Sequence, residues 1–440
     1  MTSTRPGASA APVAVAPAAT SRLWRADFAL LALGQAGSGA GSAVSSVALP
    51  LTAVLVLDAS TGQAALLAAC QQAPVLLVSL PVGALIDRIR IRPLLITTDL
   101  VAATTVLTVP VAAAAGQLTL GWLYAVATVL GATSVISNAA TLALLPRLLG
   151  RERLLEATSR LVQLGGIAAL GGSALAAGLV TVLGAALALL LDALSYVLSA
   201  VCTARIGGRE PAPAPREGRS TVGREIWEGL RYVRRHHVIA PVLHANAVTQ
   251  AVLAGQQAVL TVYLVRVLGW SGTAVGLALG AQAAGGLLGA LYATRCVGQF
   301  GPARTMITAL AAAPVSYLPL LLSEPGRAGQ ATVYAALLVQ GVSAAVGGLA
   351  QRAVRMSVCA PRMHGRMQTA GQLVCAGPAP LAALTAGLGA TQLGLRTTLA
   401  IGGCLLLLPV LRLLTSPLRH VHRLPDPDSD DPAPPRAVLP

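Results

Sequence analysis

The chain has 440 residues, of which 55% are hydrophobic and only 11% charged, and its mean hydropathy is +0.71. A water-soluble globular domain of this length does not need so apolar a composition, so that class is excluded and a polytopic membrane protein is predicted. The formal charge of +15 suggests nucleic acid as a partner. The arginines, however, are scattered between apolar runs and form no patch with interleaved aromatic residues, so we expect no nucleic-acid partner.

Residues 1–26 are rich in alanine, proline and serine and lack a compact apolar core before a cleavage site. They are interpreted as a disordered cytoplasmic tail and not as a signal peptide. Twelve apolar runs follow, each long enough to cross a hydrocarbon core of about 30 Å as a helix. Their approximate bounds are 27–56, 64–86, 94–115, 118–145, 158–183, 185–204, 239–265, 273–294, 305–322, 331–351, 368–393 and 397–414.

The distribution of arginine tests this count of spans. All 31 basic residues are arginine, and if both termini are cytoplasmic, only Arg266, Arg327 and Arg396 fall on the outer side. Arginine is retained on the cytoplasmic side of membranes, and one missing span would exchange the two sides for every later loop. The asymmetry therefore predicts a multi-pass protein of the cell membrane with both termini in the cytoplasm.

The spacing of the runs divides the chain into two halves. A six-helix bundle is predicted at 27–204 and a second at 239–414, joined by a cytoplasmic linker at 205–238 and followed by a proline- and aspartate-rich tail at 415–440. Within the linker, apolar and charged residues alternate at helical spacing from Val222 to Val238. This pattern predicts an amphipathic helix that lies on the inner membrane surface or against the cytoplasmic ends of the bundle.

A charged turn between the second and third spans sets the orientation of the chain. It contains Asp87, Arg88 and Arg92, and Asp87 stands one helical turn after Gly83. Asp87 can hold a neighbouring arginine or a helix N-terminus by charge, and Gly83 allows a second helix to approach closely. Residues 289–304 repeat the pattern faintly after the eighth span, which indicates an internal repeat of six spans, a plan that allows two bundles to rock around a central site.

These residues resemble the major facilitator superfamily of secondary transporters. Its loop signature matches Gly83, Leu85, Asp87, Arg88 and Arg92. The chain is most similar to the exporter branch that includes siderophore and macrolide efflux proteins, and the resemblance extends from about residue 27 to residue 425. The further matching segments are Ala48-Leu-Pro-Leu51, Asp99-Leu100, Leu145-Pro-Arg147, Leu191-Asp-Ala-Leu-Ser-Tyr196, Gly365-Arg366 and Ser416-Pro-Leu-Arg419.

The resemblance implies an all-α major facilitator fold of twelve transmembrane helices in two six-helix bundles that work by alternating access. It also implies proton-coupled export of a small apolar or amphipathic compound, such as a drug, secondary metabolite or siderophore. In this interpretation Asp87, Arg88 and Arg92, with Gly83, form a cytoplasmic latch that stabilises the outward-facing state. The alternatives are an importer, a uniporter without proton coupling, and a membrane receptor or scaffold that does not transport.

Three titratable residues are candidates for proton coupling. Asp192 lies in the sixth span with no arginine near it in sequence, so it either titrates or is held by a partner on another helix. Asp27 begins the first span and serves either as a helix N-cap or as a proton site. His244, in the seventh span, either titrates near neutral pH or packs between helices.

Uncharged polar side chains inside the spans are the candidates for substrate binding. They are Gln35 in the first span, Asn138 in the fourth, and Asn246, Gln250 and Gln257 in the seventh. Each either hydrogen-bonds a substrate or joins two helices. Gln250 and Gln257 are seven residues apart and therefore share one helix face, which makes them the first choice.

No enzyme chemistry is predicted from this sequence. It shows no nucleophile motif, no metal-ligand cluster and no glycine-rich phosphate loop, and its six cysteines stand far apart. We therefore expect no cofactor and no metal. The expected partners are a small-molecule substrate, protons and the lipid bilayer, and the expected state is a monomer.

Overall fold

The computed structural model describes residues 23–86, 89–149, 154–207, 222–236, 238–359 and 364–415. All regular structure in these ranges is helical. The first half contains α1 Leu23–Leu51, α2 Thr61–Ile86, α3 Ile91–Ala114, α4 Leu120–Leu149, α5 Leu154–Leu183 and α6 Ala185–Ala204. The second half contains α7 Val222–Arg235, α8 Ile239–Val262, α9 Gly272–Phe300, α10 Pro302–Val315, α11 Tyr317–Leu322, α12 Arg327–Val358, α13 His364–Ala376, α14 Ala379–Gln392, α15 Leu395–Leu405 and α16 Leu407–Leu414.

Twelve segments of the described chain are long and apolar enough to cross a membrane, which confirms the predicted number of spans. Six form an N-terminal lobe (α1–α6). The other six form a C-terminal lobe (α8–α16), in which three spans are each built from two consecutive helices. The amphipathic α7 packs Val233 against Ile239 and Leu243 of α8 and Met367 of α13, so it lies against the bundle.

Proline explains why three spans are broken. The helices α10, α13 and α15 end at Val315, Ala376 and Leu405, and a proline stands four residues after each of these ends. Proline has no N–H to donate to the carbonyl four residues earlier, so the helical hydrogen-bond ladder is interrupted there. Pro380 accounts in this way for the break in the eleventh span. The breaks in the ninth and twelfth spans follow from the same rule.

An internal repeat is visible in the backbone. Residues with positive φ close three turns of the N-terminal lobe and recur about 210 residues later in the C-terminal lobe: Asp58 and Gly269, Gly116 and Gly326, Gly184 and Gly394. Five of the six are glycine, which adopts this conformation without steric cost. The nearly constant spacing relates each position in one lobe to a position in the other.

Two π-helical segments provide a second sign of the repeat. Thr52–Val56 continues α1 and Tyr263–Val267 continues α8. Both end in the same way: the N–H of Leu57 donates to Thr52 O, and the N–H of Leu268 donates to Tyr263 O, each at 3.2 Å. The first span of each lobe therefore ends in the same widened turn.

Among the described residues, the apolar cores of the two lobes merge at one end. At the face that carries Asp58, one continuous apolar core includes Leu51 and Val180 of the N-terminal lobe together with Tyr263 of the C-terminal lobe. Toward the opposite, arginine-rich face, the described residues form separate cores in the two lobes, around Ile91 in one and Val242 in the other. In the described part of the chain, the lobes are thus joined at the Asp58 face and have separate cores at the arginine-rich face.

Candidate functional site

A cavity of about 520 Å³ lies between the two lobes, beneath the closed Asp58 face. Its size falls within the range of small-molecule binding sites, about 300–1,000 Å³. Most of its wall is alanine, leucine, valine and glycine, and among the described residues no ionisable side chain lines it. The polar lining residues are Ser42, Ser46, Gln71, Gln72, Ser173, Gln257, Thr261 and Gln282.

Small residues allow the lobes to meet above this cavity. A Cβ added at Gly387 of α14 would lie 2.2 Å from Cβ of Ala65 on α2, and one at Gly272 of α9 would lie 2.7 Å from Cγ1 of Val180 on α5. Both distances are shorter than van der Waals contact, so these glycines are required for the observed approach of the lobes.

One ion pair joins the lobes at the rim of the closed face. Arg266 Nη2 lies 3.1 Å from Asp58 Oδ1 and donates to the carbonyl of Ala59 at 2.8 Å. The Asp58 side chain is 98% exposed and that of Arg266 37%. Exposed ion pairs contribute only about 0.2–1 kcal/mol. This pair therefore makes a small contribution to the closed arrangement and is not its main source of stability.

A network of amide side chains connects the cavity wall with the interior of the C-terminal lobe. Gln257 Nε2 donates to Gln282 Oε1 at 3.0 Å, and Gln282 Nε2 donates to Gln340 Oε1 at 2.9 Å. Gln340 and Gln256 donate to each other at 2.8 and 3.2 Å, and the hydroxyl of Tyr317 donates to Gln256 Oε1 at 2.5 Å. Four spans are therefore held together by neutral polar groups that satisfy one another.

The carboxylate of Asp192 is fully buried between α1 and α6. Oδ2 accepts a hydrogen bond from Ser45 Oγ, and Oδ1 accepts one from Ser195 Oγ at 3.2 Å. One turn further along α6, the hydroxyl of Tyr196 lies 3.0 Å from that of Ser42, which lines the cavity. A polar group buried in a membrane protein is costly unless it is hydrogen-bonded, and here two serines meet that need.

The sequence of the chain matches a protein family over almost its whole length. The family model described as "transmembrane secretion effector" matches residues 18–438. The chain belongs to the transmembrane secretion effector family. No curated protein matches it significantly in sequence.

Solved transporter structures share the fold of this secretion effector. The nucleoside transporter NupG is similar with a TM-score of 0.73 at 9% identity, covering 88% of this chain and 98% of that one. A bacterial homologue of the iron transporter ferroportin gives 0.69 at 15% identity, over 88% and 98% of the two chains. A POT family transporter gives 0.70 at 12% identity, over 88% and 95%. These likenesses establish the major facilitator fold, and with the family match they make the protein a membrane transporter.

The predicted latch of this family member is only partly within the described structure. Gly83 lies in α2, whereas Asp87 and Arg88 lie outside the described residues. Arg92, in the first turn of α3, donates from Nη2 to the carbonyls of Ala204, at 3.3 Å, and Ile206. Arg92 is thus fastened to the end of α6 in its own lobe.

The three candidates for proton coupling occupy very different environments. Asp27 is not an N-cap, because α1 begins at Leu23. Its Oδ1 instead accepts from the N–H of Gly207 at 2.9 Å, so it joins the start of the first span to the end of the sixth. The side chain of His244 is exposed. Asp192 is the only one of the three that is buried.

The five polar candidates do not form one site. Gln257 lines the cavity, whereas Gln250, Gln35, Asn138 and Asn246 are not among its lining residues. Asn246 donates from Nδ2 to Cys375 Sγ at 3.1 Å and so joins α8 to α13. Gln250 and Asn138 have exposed side chains.

Several residues of the cavity and its network were not selected from the sequence. They include Gln282, Gln340 and Tyr317, which complete the amide network, and Gln71 and Gln72, which line the cavity. The four glutamines show the same pattern by which the five polar candidates were chosen, an amide side chain inside an apolar run. The serines of α1 carry no such signal, because serine is common in packed transmembrane helices.

Proposed function

We propose that this transporter exports a small, neutral, apolar or amphipathic compound from the cell by alternating access. The cavity between the lobes carries the proposal, because its wall is apolar, its polar groups are amides and hydroxyls, and no ionisable residue lines it. Such a wall offers hydrogen bonds without desolvating a charge, and it therefore favours an uncharged ligand over an ionic one.

The direction of the proposed transport rests on membrane orientation. The arginine-rich face would lie in the cytoplasm of a cell-membrane protein, with both termini on that side. The separate lobe cores toward this face and the joined core at the Asp58 face then correspond to an arrangement open to the cytoplasm. An exporter loads its substrate from the cytoplasm in this arrangement.

Asp192 is the residue that we propose to carry the coupling proton. Its carboxylate bonds to Ser45 on α1, and the neighbouring turn of α6 bonds through Tyr196 to Ser42 in the cavity wall. Protonation would replace an acceptor by a donor at this contact between α1 and α6, so the packing of these helices would respond to the proton.

The loop at 87–92 is proposed as a latch at the cytoplasmic face. Arg92 holds the start of α3 against the end of α6. In the proposal, Asp87 and Arg88 form the ion pairs that stabilise the outward-facing state. Replacing Asp87 by asparagine should shift the resting population without abolishing substrate binding. Unchanged transport at equal amounts of folded protein would remove the latch from the proposal.

Everted membrane vesicles test the function directly. With an imposed proton gradient, vesicles that contain the protein should accumulate a neutral lipophilic fluorophore, and a protonophore should abolish the accumulation. Asp192→Asn should lose the accumulation driven by the proton gradient but should still carry fluorophore down the concentration gradient of the fluorophore itself. Asp99→Asn serves as the matched control, because Asp99 is also a buried carboxylate of the N-terminal lobe but lies on α3 and not at the Asp192–Ser45 contact of α6 with α1.

Facilitated diffusion without protons is the second candidate function. The lack of an ionisable residue in the cavity wall favours it, since no proton site would then contact the substrate. Fluorophore that equilibrates at the same rate with and without the proton gradient, and never accumulates, would favour this candidate and contradict proton coupling. Unchanged gradient-driven accumulation in Asp192→Asn would instead remove Asp192 as the proton carrier.

A further inference from the structure

A second cavity lies inside the C-terminal lobe, separate from the one between the lobes. It has a volume of about 390 Å³ and is bounded by α8, α14 and α15. Exposed Ile401 and Leu405, one helical turn apart on α15, belong to its wall and mark a rim that faces the bilayer. Small residues form much of the interior: Ala251, Gly255, Ala382, Ala386, Gly389 and Gly402.

The internal repeat explains why this cavity exists. The spacing that relates Gly184 to Gly394 also relates Asp192 to Gly402, and the matching π-helical segments relate Ser45 to Gln256. In the N-terminal lobe, the side chain of Asp192 fills the space between its helices and bonds to Ser45. At the corresponding place in the C-terminal lobe, Gly402 has no side chain, and the space stays open.

The open space is apolar and its polar boundary is already satisfied. A Cβ added at Gly402 would have only ordinary contacts, 3.5 Å to Cγ1 of Val252 and 3.7 Å to Cε1 of Tyr317. Gln256 Oε1 accepts from both Tyr317 and Gln340. Water is not favoured in such a place, because a buried water needs two to four polar partners.

A void of this size also forfeits dispersion contacts along its whole wall. Inside a bilayer the surrounding solvent is hydrocarbon, and the exposed rim of Ile401 and Leu405 borders that solvent. We propose that this cavity is a lipid-binding site that holds one hydrocarbon chain of a membrane phospholipid, inserted between α14 and α15. The chain contacts Gln256, and the amide network extends from there to Gln257 in the wall of the central cavity.

Photolabelling in lipid nanodiscs tests the site. The probe is a phosphatidylcholine with a diazirine on one acyl chain, and mass spectrometry locates the labelled residues. Gly255 and Val259 of α8 are buried wall residues, so they can be labelled only by a chain that has entered. We expect label at these positions in the wild-type protein and at least a fivefold decrease in Gly402→Leu, which fills the space.

Two comparisons test whether the decrease in label is specific to filling this cavity. Gly178→Leu introduces the same side chain where a Cβ meets no atom within 4 Å, and it should leave the α8 label unchanged. Label on the exposed Leu190 and Leu194 of α6 should be equal in all variants and serves as the internal standard. If Gly402→Leu fails to fold, Ile401→Trp narrows the rim without entering the cavity and should give the same loss.

Absence of label on Gly255 and Val259 in the wild-type protein would overturn the proposal, as would equal label in Gly402→Leu. Displacement of the α8 label by a neutral lipophilic fluorophore, with no effect from added unlabelled phospholipid, would also overturn it, because the site would then take a soluble apolar compound. These outcomes do not depend on transport direction or proton coupling. Failure of the lipid site can therefore be distinguished from failure of the proposed function.

Discussion

Arg266 of the C-terminal lobe reaches the first turn of the N-terminal lobe, where its Nη2 lies 3.1 Å from Asp58 Oδ1. The two residues are not equivalent in the repeat: Asp58 corresponds to Gly269, and Arg266 corresponds to Leu55. The ion pair therefore does not follow the internal repeat, and it joins one lobe to the other at the closed face.

Removing this ion pair should shift the protein toward opening at the Asp58 face. Asp58 has φ +49°, and asparagine tolerates this conformation as well as aspartate does. Asp58→Asn therefore removes the charge without adding backbone strain. Because an exposed pair contributes about 0.2–1 kcal/mol, the open population should rise by about 1.4- to 5-fold. Spin labels at Ser60 and Ser271 would report the change as a longer distance in pulsed resonance measurements.

A larger shift is expected from a steric change at the same face. Gly387→Leu places a side chain where even a Cβ would lie 2.2 Å from Ala65, so the closed arrangement should become inaccessible while each lobe stays folded. The same spin-label pair should then show only the longer distance. If the short distance persists in the folded variant, the approach of α2 and α14 is not what closes this face.

The amide network should stabilise the C-terminal lobe. Gln256→Leu leaves the buried Nε2 of Gln340 and the hydroxyl of Tyr317 without their acceptor, and an unsatisfied buried polar group costs about 1–3 kcal/mol. Tyr317→Phe removes one donor and should cost less, about 0.5–1.5 kcal/mol. Thermal unfolding of the purified protein in detergent would rank the two variants.

Gln257 provides the matched control for that series. It belongs to the same network, but its side chain is exposed at the cavity. Gln257→Ala should leave the melting temperature nearly unchanged and alter the preference among fluorophores instead. A melting temperature lowered as far as in Gln256→Leu would show that the exposed end of the network is as important for stability as the buried end.

Two adjacent glycines of α9 should respond oppositely to the same substitution. A Cβ at Gly285 would lie 2.0 Å from the carbonyl oxygen of Leu338 on α12, whereas a Cβ at Gly286 meets no atom within 4 Å. Gly285→Ala should therefore separate α9 from α12 and destabilise the lobe by about 1–3 kcal/mol. Gly286→Ala should be neutral or stabilising by up to about 1 kcal/mol, because alanine favours helix. Equal melting temperatures would contradict the observed packing.

The sequence predicted the number of spans, because hydropathy and arginine placement report directly on the bilayer. It also located the amphipathic helix of the linker, since the periodicity of apolar and charged residues is a local property. The breaks after Val315, Ala376 and Leu405 could have been predicted as well, because proline interrupts the hydrogen bonds of its own helix.

Contacts between distant helices were not predictable in this way. Nothing adjacent to Asp192 in sequence indicates Ser45 as its partner, and nothing adjacent to Asp58 indicates Arg266. The bond from Gly207 N–H to Asp27 joins two residues that are 180 positions apart in the sequence of the N-terminal lobe. Such pairings depend on the three-dimensional arrangement of spans, about which a single sequence of similar apolar runs carries little information.

The amide network has a consequence for the range of ligands. The bonds from Gln257 to Gln282 and from Gln282 to Gln340 run in one direction, and Gln340 and Gln256 then donate to each other. This leaves Gln257 Oε1 as an acceptor at the cavity wall. Each amide carries a donor and an acceptor at the end of one rotatable bond, so half-turns of all four would reverse the direction and present an N–H instead. The wall can thus meet a ligand that donates a hydrogen bond or one that accepts it, with no change in charge, and a single cavity can tolerate chemically unlike cargo.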